Sequence, residues 1–238
     1  MPPGPLVLLM DGLWFRFEGK PWVLYLVALK SCRGNRAVFL DPMLLEGKEG
    51  AYKWEQAVAR IPPGAKRRIR TLVVDNLRGL EQLARHHGWA LQLCQFHLLL
   101  KLQVQRNRPH RALKGGRVRQ EIYRLIRRAL DLPIGPKLYE TIDRLKGLVK
   151  TKCGTKRIRA MVREFLRCAG FYRTCRTHPE LGLPSTTNAV EAMGGLVRDL
   201  LRRDRAGSSK RALLLWTTAL IRMRPHIVCN GKSFNRIN

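Results

Sequence analysis

Residues 6–12 read LVLLMDG, an apolar run that ends in an aspartate and a glycine. Residues 71–79 read TLVVDNLRG and have the same arrangement. Short runs rich in Val and Leu are typical of buried strands. Each run is therefore predicted to be a strand that ends at a carboxylate, Asp11 in the first and Asp75 in the second. Open α/β sheets hold their functional sites in the crevice beyond such strand ends.

The rest of the pattern places these two strands in a mixed sheet. Further strands are predicted at 20–30, 36–40 and 89–94, and helices at 50–61 and 77–87. The resulting order, β-β-β-α-β-α-β, is typical of the α/β fold class with a mixed sheet. Beyond residue 98 the periodicity is helical, with apolar stripes opposite basic faces. The helices predicted there cover 98–104, 120–130, 139–149, 158–168, 189–203 and 210–223.

The charge is strongly unbalanced. The chain of 238 residues carries 46 Lys and Arg against 17 Asp and Glu, a formal net charge of +29. Residues 101–238 hold 32 of the basic residues and 9 of the acidic ones. Such an excess attracts polyanions, so the sequence predicts a phosphate-bearing partner and excludes an enzyme with an acidic surface. A surface that only confers solubility is the alternative, although such surfaces normally mix both signs.

Nothing in the sequence predicts export or membrane insertion. The longest apolar stretch, Trp22–Leu29, is far shorter than the ~20 residues of a spanning helix. The apolar residues 6–10 follow no basic segment, so no signal peptide is predicted. The six cysteines are scattered, as expected of free thiols in a cytoplasmic protein.

A third carboxylate follows in the segment STTNAVEAMGG, where Glu191 lies in the first turn of a predicted helix. Two aspartates and a glutamate supply enough oxygen ligands for a pair of Mg²⁺ ions, since Mg²⁺ keeps several waters. Two such ions support an in-line phosphoryl displacement. There are local alternatives. Asp11 and Asp75 are also suited to turns at strand ends, and Asn188 with Glu191 resembles a helix capping box.

Two Cys-x₂-His pairs are present, Cys94 with His97 and Cys175 with His178. Together they have the composition of a Cys₂His₂ zinc site, but the spacing between the pairs is wider than usual. Otherwise Cys94 is a buried thiol and His97 a structural or site-adjacent residue.

A group of basic residues follows Glu191 closely on the same helix and just after it. It is predicted to track a DNA backbone past the metal site, with a solvated helix face as the alternative. Its members are Arg198, Arg202, Arg203, Arg205, Lys210 and Arg211.

In combination these features resemble the DDE transposases, and most closely the Mutator-type lineage of bacterial insertion-sequence transposases. The resemblance covers nearly the whole chain. Its most specific parts are the T-N-x-x-E pattern at Thr187, Asn188 and Glu191, and the Cys-x₂-His at Cys94 and His97.

The spacing of the acids fits this family as well. Asp75 lies 64 residues after Asp11, and Glu191 lies 116 residues after Asp75. The resemblance implies a ribonuclease-H-like core with a helical insertion before the last acid. The implied domains are the first part of the core at 1–100, a basic helical insertion at 101–180 and completing helices at 181–238.

The resemblance further implies an activity. The residues that would hold two Mg²⁺ or Mn²⁺ ions are Asp11, Asp75 and Glu191. A water activated by the metals would hydrolyse a phosphodiester at an element's end, and the freed 3′-OH would then attack target DNA. Cys94, His97 and Asn188 would be structural or site-adjacent. The implied partners are DNA and further copies of the chain, with a nucleoid-associated location in the cytoplasm.

One departure from the family affects this expectation. Only ten residues precede Asp11, too few for the DNA-binding region that family members carry before the first acid. The departure puts end-specific recognition, and with it autonomous transposition, in question, and it leaves open a truncated copy, a separately encoded catalytic part or a start site placed too late. A ribonuclease-H-like nuclease without strand transfer, and a DNA-binding remnant without catalysis, remain the alternatives.

Overall fold

The computed structural model of the chain describes residues 1–106, 116–204 and 209–229. The chain forms two compact units, the first made of Met1–Cys94 and His178–Asn238 and the second of Gln95–Thr177. The strands all belong to the first unit, and the described part of the second unit is helical. The helical unit therefore interrupts the chain that builds the sheet. The sequence predicted its limits at 101–180.

The first unit contains a seven-stranded sheet in the order β6-β5-β1-β2-β3-β7, with β4 also paired to β2. Its strands are β1 (Leu6–Phe17), β2 (Lys20–Ser31), β3 (Arg36–Phe39), β4 (Met43–Glu46), β5 (Ile69–Val74), β6 (Ala90–Leu93) and β7 (His226–Val228). β1, β5 and β6 run parallel, and the other pairings are antiparallel. The predicted α/β class with a mixed sheet is confirmed. The short strands β4 and β7 are additional to the prediction.

The prediction that the first strand ends at Asp11 is wrong. β1 continues to Phe17, and its second half pairs with β2 in a hairpin. The hairpin closes through Glu18 and Gly19, which both have positive φ, at 52° and 76°. Two such residues form the tight turn that matches the twist of paired strands. Asp11 therefore lies within β1, just beyond the residues that pair with β5.

Helices cover both faces of this sheet. The first unit contains α1 (Ala51–Ala59), α2 (Pro63–Lys66), α3 (Leu80–His86), α9 (Asn188–Asp204) and α10 (Lys210–Met223). On one face, Val190 and Met193 of α9 join Leu9 and Val73 in a buried apolar cluster. On the other face, the rings of Tyr25 and Trp54 pack edge to face, with centroids 4.6 Å apart. Both faces are thus shielded, as in a layered α/β fold.

The second unit is a bundle with its own core. Its helices are α4 (Gln95–Arg106), α5 (Gly116–Asp131), α6 (Pro136–Lys150), α7 (Lys156–Tyr172) and the short α8 (Thr174–Thr177). Ile126, Leu145 and Phe165 are fully buried within it. The guanidinium of Arg173 donates to the carbonyls of Ala129 and Leu132, and so satisfies the C-terminal end of α5.

Across the part of the chain that the structure describes, no helix has both the length and the apolar character that crossing a bilayer requires.

Candidate active site

Asp11, Asp75 and Cys94 form one row across three neighbouring parallel strands. Each lies just past the residues through which β1, β5 and β6 pair, in the same register. Neighbouring strands are about 4.8 Å apart, so the two aspartates are adjacent at this edge of the sheet. The backbone N–H of Cys94 donates to Val74 O at 2.8 Å, which continues the pairing up to the row. Asp11 and Asp75 therefore lie at the same level on neighbouring strands.

Each aspartate is oriented by the residue that follows it. The N–H of Gly12 donates to Asp11 Oδ1 at 2.9 Å, and the N–H of Asn76 donates to Asp75 Oδ1 at 2.7 Å. Both side chains are half-buried. The two carboxylates thus combine restricted orientation with access from solvent.

Glu191 lies in the first turn of α9 and is held by its own helix start and by β6. Thr187 Oγ1 donates to Glu191 Oε1 at 2.6 Å, and Cys94 Sγ lies 3.6 Å from the same oxygen. The N–H of Thr187 in turn donates to Cys94 Sγ at 3.4 Å. Thr187 and Cys94 are both fully buried. This network ties Glu191 to the Cys94 end of the row.

The capping box considered for Asn188 and Glu191 is not what the structure has. α9 begins at Asn188, whose N–H donates to Thr186 Oγ1 at 3.4 Å. The Glu191 carboxylate instead accepts from Thr187, one position earlier than the box requires. The side chain is therefore directed to the sheet edge and not back to the first turn's backbone.

α9 spans the row from β6 to β1. At its start Glu191 contacts Cys94, and one turn later Gly194 faces Leu13 so closely that a Cβ there would lie 2.8 Å from Leu13 Cδ2. The three acids lie in the described part of the chain, but their carboxylate oxygens do not all come within 4.8 Å of one another. Asp11 and Asp75 are therefore neighbours, and Glu191 lies at the Cys94 end of the same row.

The loop that leads into α9 is anchored to β2. Gly182 has φ of +57°, and a Cβ there would lie 1.9 Å from the carbonyl oxygen of Cys32, so only glycine fits. Lys30 Nζ donates to the carbonyls of Gly182 and Ser31 at 3.0 and 2.9 Å. Burial lowers the pKa of Lys30. This anchor fixes the segment from which Glu191 projects.

Glu49, a carboxylate that the sequence patterns did not single out, lies beside Gly12 on the face of the sheet opposite α9. A Cβ on Gly12 would lie 3.0 Å from Glu49 Cδ and Oε1, so the glycine leaves room for this side chain beside β1. Trp54 Nε1 donates to Glu49 Oε1 at 2.8 Å. Burial, and secondarily the charge of Glu49, raise the pKa of Tyr25. In the sequence, the glycine at position 12 leaves room for another side chain beside β1, but it does not show that this side chain is Glu49.

The remaining Cys-x₂-His residues are placed as follows. His97 lies in the first turn of α4 in the second unit, and Cys175 lies on α8 of the same unit. Burial raises the pKa of the Cys175 thiol, which disfavours the thiolate that zinc requires. His178 Nδ1 lies 3.1 Å from Glu180 Oε1. The zinc interpretation stays a prediction.

The predicted DNA-binding residues occupy α9 and α10. Arg198 and Arg202 are exposed on α9, and Arg202 forms an ion pair with Asp199 at 3.5 Å. Arg211 is exposed on α10. Lys210 has a structural contact, because its Nζ lies 4.7 Å from the centroid of the Trp22 ring. The side chain of Arg203 and all of Arg205 lie outside the described residues.

Comparison of the sequence with protein-family models finds no matching family, and comparison with curated proteins finds no matching relative.

Proposed function

We propose that the chain is the catalytic core of a metal-dependent DNA transposase. The observation that carries the proposal is the adjacency of Asp11 and Asp75 in register on parallel strands, with Glu191 at the end of the same row. Acids are scarce in a chain of net charge +29. Carboxylates grouped at a sheet edge in such a chain suit chemistry on a phosphodiester, where a metal offsets the charge of both partners.

The sheet supports a ribonuclease-H-like core. Three antiparallel strands, β1 to β3, are followed by the parallel strands β5 and β6, and the helical unit enters between β6 and α9. This order is the one that the resemblance to the Mutator-type transposases implies. We propose the ribonuclease-H-like fold together with this activity.

The donor set fits Mg²⁺ or Mn²⁺. Hard divalent cations prefer carboxylate oxygens and take few of them, keeping waters in the other positions. Asp11 and Asp75 would hold the ions between them, and Glu191 would complete the set after a change of its side-chain rotamer away from Thr187. When bound, two such ions activate the attacking oxygen and stabilise the leaving one.

Other residues of the chain would orient the two aspartates and bind the DNA backbone. The Gly12 and Asn76 N–H groups would keep the two aspartates oriented. In hydrolysis, a bond forms between water oxygen and phosphorus, and the bond to the leaving 3′ oxygen breaks. In strand transfer, that 3′-OH attacks a phosphorus of target DNA in the same kind of displacement. Exposed Arg198, Arg202 and Arg211 would neutralise backbone phosphates near α9 and α10.

The test is nicking and strand transfer on duplex DNA with Mg²⁺ or Mn²⁺ at fixed salt, comparing wild type with Asp75→Asn. The substitution keeps the shape of the side chain and removes its charge. We expect a loss of at least about a hundredfold, the range seen when one transition-state contact is removed. Glu81→Gln is the matched control, because Glu81 is a surface acid of the same unit that pairs with Arg85 at 2.9 Å.

The outcomes separate the alternatives. Metal-dependent products that vanish in Asp75→Asn and persist in Glu81→Gln support the catalytic site. Strand-transfer products identify a transposase, and nicking alone identifies a nuclease with the same acids. Activity equal in wild type and Asp75→Asn refutes the proposal. DNA binding with no activity in either protein points to a binding-only remnant.

A further inference from the structure

Helix α7 of the second unit has two contrasting faces. Ile158, Val162 and Phe165 are buried in the bundle. The opposite face exposes Lys156 and, at helical spacing, the residues Arg163 and Arg167. We call these three cations the α7 stripe. It extends about 16 Å along the helix axis, at 1.5 Å per residue.

Among the described residues of the second unit, some basic side chains pair with acids, and others, including those of the α7 stripe, do not. Several basic side chains on its other helices pair with acids: Arg144 with Glu121, Lys146 with Asp143 at 2.8 Å, and Arg176 with Asp131 at 3.0 Å. Within the part of the chain that the structure describes, none of the three stripe residues has an ion-pair partner. Their charge is therefore available to an external anion.

The surroundings of the stripe also suit a close anionic partner. Ala160 and Gly170 are exposed on the same face, and the acid of α7, Glu164, is exposed to one side of it next to Arg163. The first turn of α7 contains no acid, although acids are favoured there. The unit as a whole holds 22 Lys and Arg against 5 Asp and Glu, a net charge of +17. A solvated face that served only solubility would not need such a one-sided composition.

We propose that the α7 stripe is a docking surface for the phosphate backbone of duplex DNA, in addition to the basic residues of α9 and α10. Arginine matches phosphate oxygens with two donors, and lysine supplies a point charge. Contacts of this type carry no sequence information and set affinity and position. The choice of DNA as the partner rests on the proposed function. Docking on the α7 stripe does not require that the chain cleave the DNA.

The experiment measures binding of the full-length protein to a labelled duplex of about 30 base pairs and arbitrary sequence, in EDTA. Fluorescence anisotropy is recorded across a series of salt concentrations for wild type and for the triple variant K156Q/R163Q/R167Q. The control triple, R33Q/R36Q/R67Q, removes the same charge from exposed positions in the first unit. Circular dichroism verifies that each variant is folded.

We expect the stripe variant to lose more than tenfold in affinity near 150 mM salt. The slope of log K against log salt should become shallower by about 2 to 3, since each phosphate contact contributes about 0.9. The control triple should change affinity by no more than about threefold. Equal losses in the two triples, or an unchanged slope in the stripe variant, would refute the docking surface and indicate a general effect of net charge.

Two further arms keep this result separate from the proposed function. The K156Q/R163Q/R167Q triple is also measured in an Asp75→Asn background, which cannot cleave DNA. A loss of binding there supports the α7 stripe whether or not the chain has catalytic activity. A duplex RNA of equal length tests the partner. Binding to RNA that is tighter than to DNA and equally sensitive to the triple would overturn the assignment to DNA.

Discussion

Two adjacent glycines in α9 provide a direct test of how Glu191 is positioned. A Cβ on Gly194 would lie 2.8, 3.4 and 3.6 Å from Cδ2, Cδ1 and Cγ of Leu13, which is fully buried in β1. A Cβ on Gly195 would meet nothing within 4 Å. Replacing each by alanine therefore adds the same methyl to the same helix, once against the sheet and once into open space.

The magnitudes follow from the contacts. Both substitutions gain about 0.8–1 kcal/mol of helix propensity. Carbon atoms pack at 3.5–4.0 Å, so Gly194→Ala forces Leu13 and α9 apart by about 1 Å. Overpacking of this kind costs about 1–3 kcal/mol. Gly195→Ala should thus be more stable than wild type by about 1 kcal/mol, and Gly194→Ala less stable than Gly195→Ala by about 1–3 kcal/mol.

Tryptophan fluorescence in urea isolates this effect, because Trp14, Trp22, Trp54, Trp89 and Trp216 all belong to the first unit. The same pair is then compared in the nicking assay. A displacement of about 1 Å at a catalytic group can reduce a rate by about a hundredfold, so Gly194→Ala should lose at least tenfold while Gly195→Ala stays near wild type. Equal stabilities and equal rates in the two variants would show that α9 does not depend on this close approach.

Two other substitutions test the surroundings of the site. Gly182→Ala should destabilise the first unit by at least about 2 kcal/mol in urea unfolding, because the residue has a left-handed φ and its Cβ would overlap the Cys32 carbonyl. An effect below about 0.5 kcal/mol would contradict the anchor. Tyr25→Phe should flatten the pH dependence of stability at alkaline pH. Burial and the charge of Glu49 raise the pKa of Tyr25 above 10.0, so the unfolded chain releases this proton first, and the free energy of unfolding falls as pH rises above about 10. Unfolding midpoints at pH 9 and 11 should therefore differ more in wild type than in Tyr25→Phe, and equal differences would show that the phenol is not buried in solution.

The sequence predicted the sheet where the signal was local. Apolar runs located β2, β3, β5 and β6 to within two residues, because each is bounded by charged or turn-forming residues. The second half of β1 was not predicted because its turn, Glu18-Gly19, lacks the Asn-Gly or Asp-Gly order that marks a tight hairpin. β4 and β7 are too short to have a recognisable period. Their pairing to β2 and β3 is decided by tertiary contact.

The sequence patterns singled out the residues of the candidate site but not the contacts among them. Asp11, Asp75 and Glu191 were identified from their places beside strands and a helix start. The Cys-x₂-His spacing left Cys94 open as a zinc ligand or a buried thiol, and in the structure the thiol is buried and contacts Glu191 and Thr187. Those partners lie 97 and 93 residues away along the chain. No local pattern encodes such a pairing, because it depends on the register of β6 and the path of α9.

The positioning of Glu191 depends on small residues that carry no chemistry themselves. Gly182 lets the preceding loop lie against β2, and Gly194 lets α9 approach β1. Between them, buried Thr187 supplies both a hydroxyl for the carboxylate and an N–H for the Cys94 sulfur. Each of these contacts fixes a different part of the segment, namely its entry, its first turn and its second turn. A larger residue at either glycine would press against Cys32 or Leu13, so the position of the third acid depends on these two glycines as well as on its contact with Thr187.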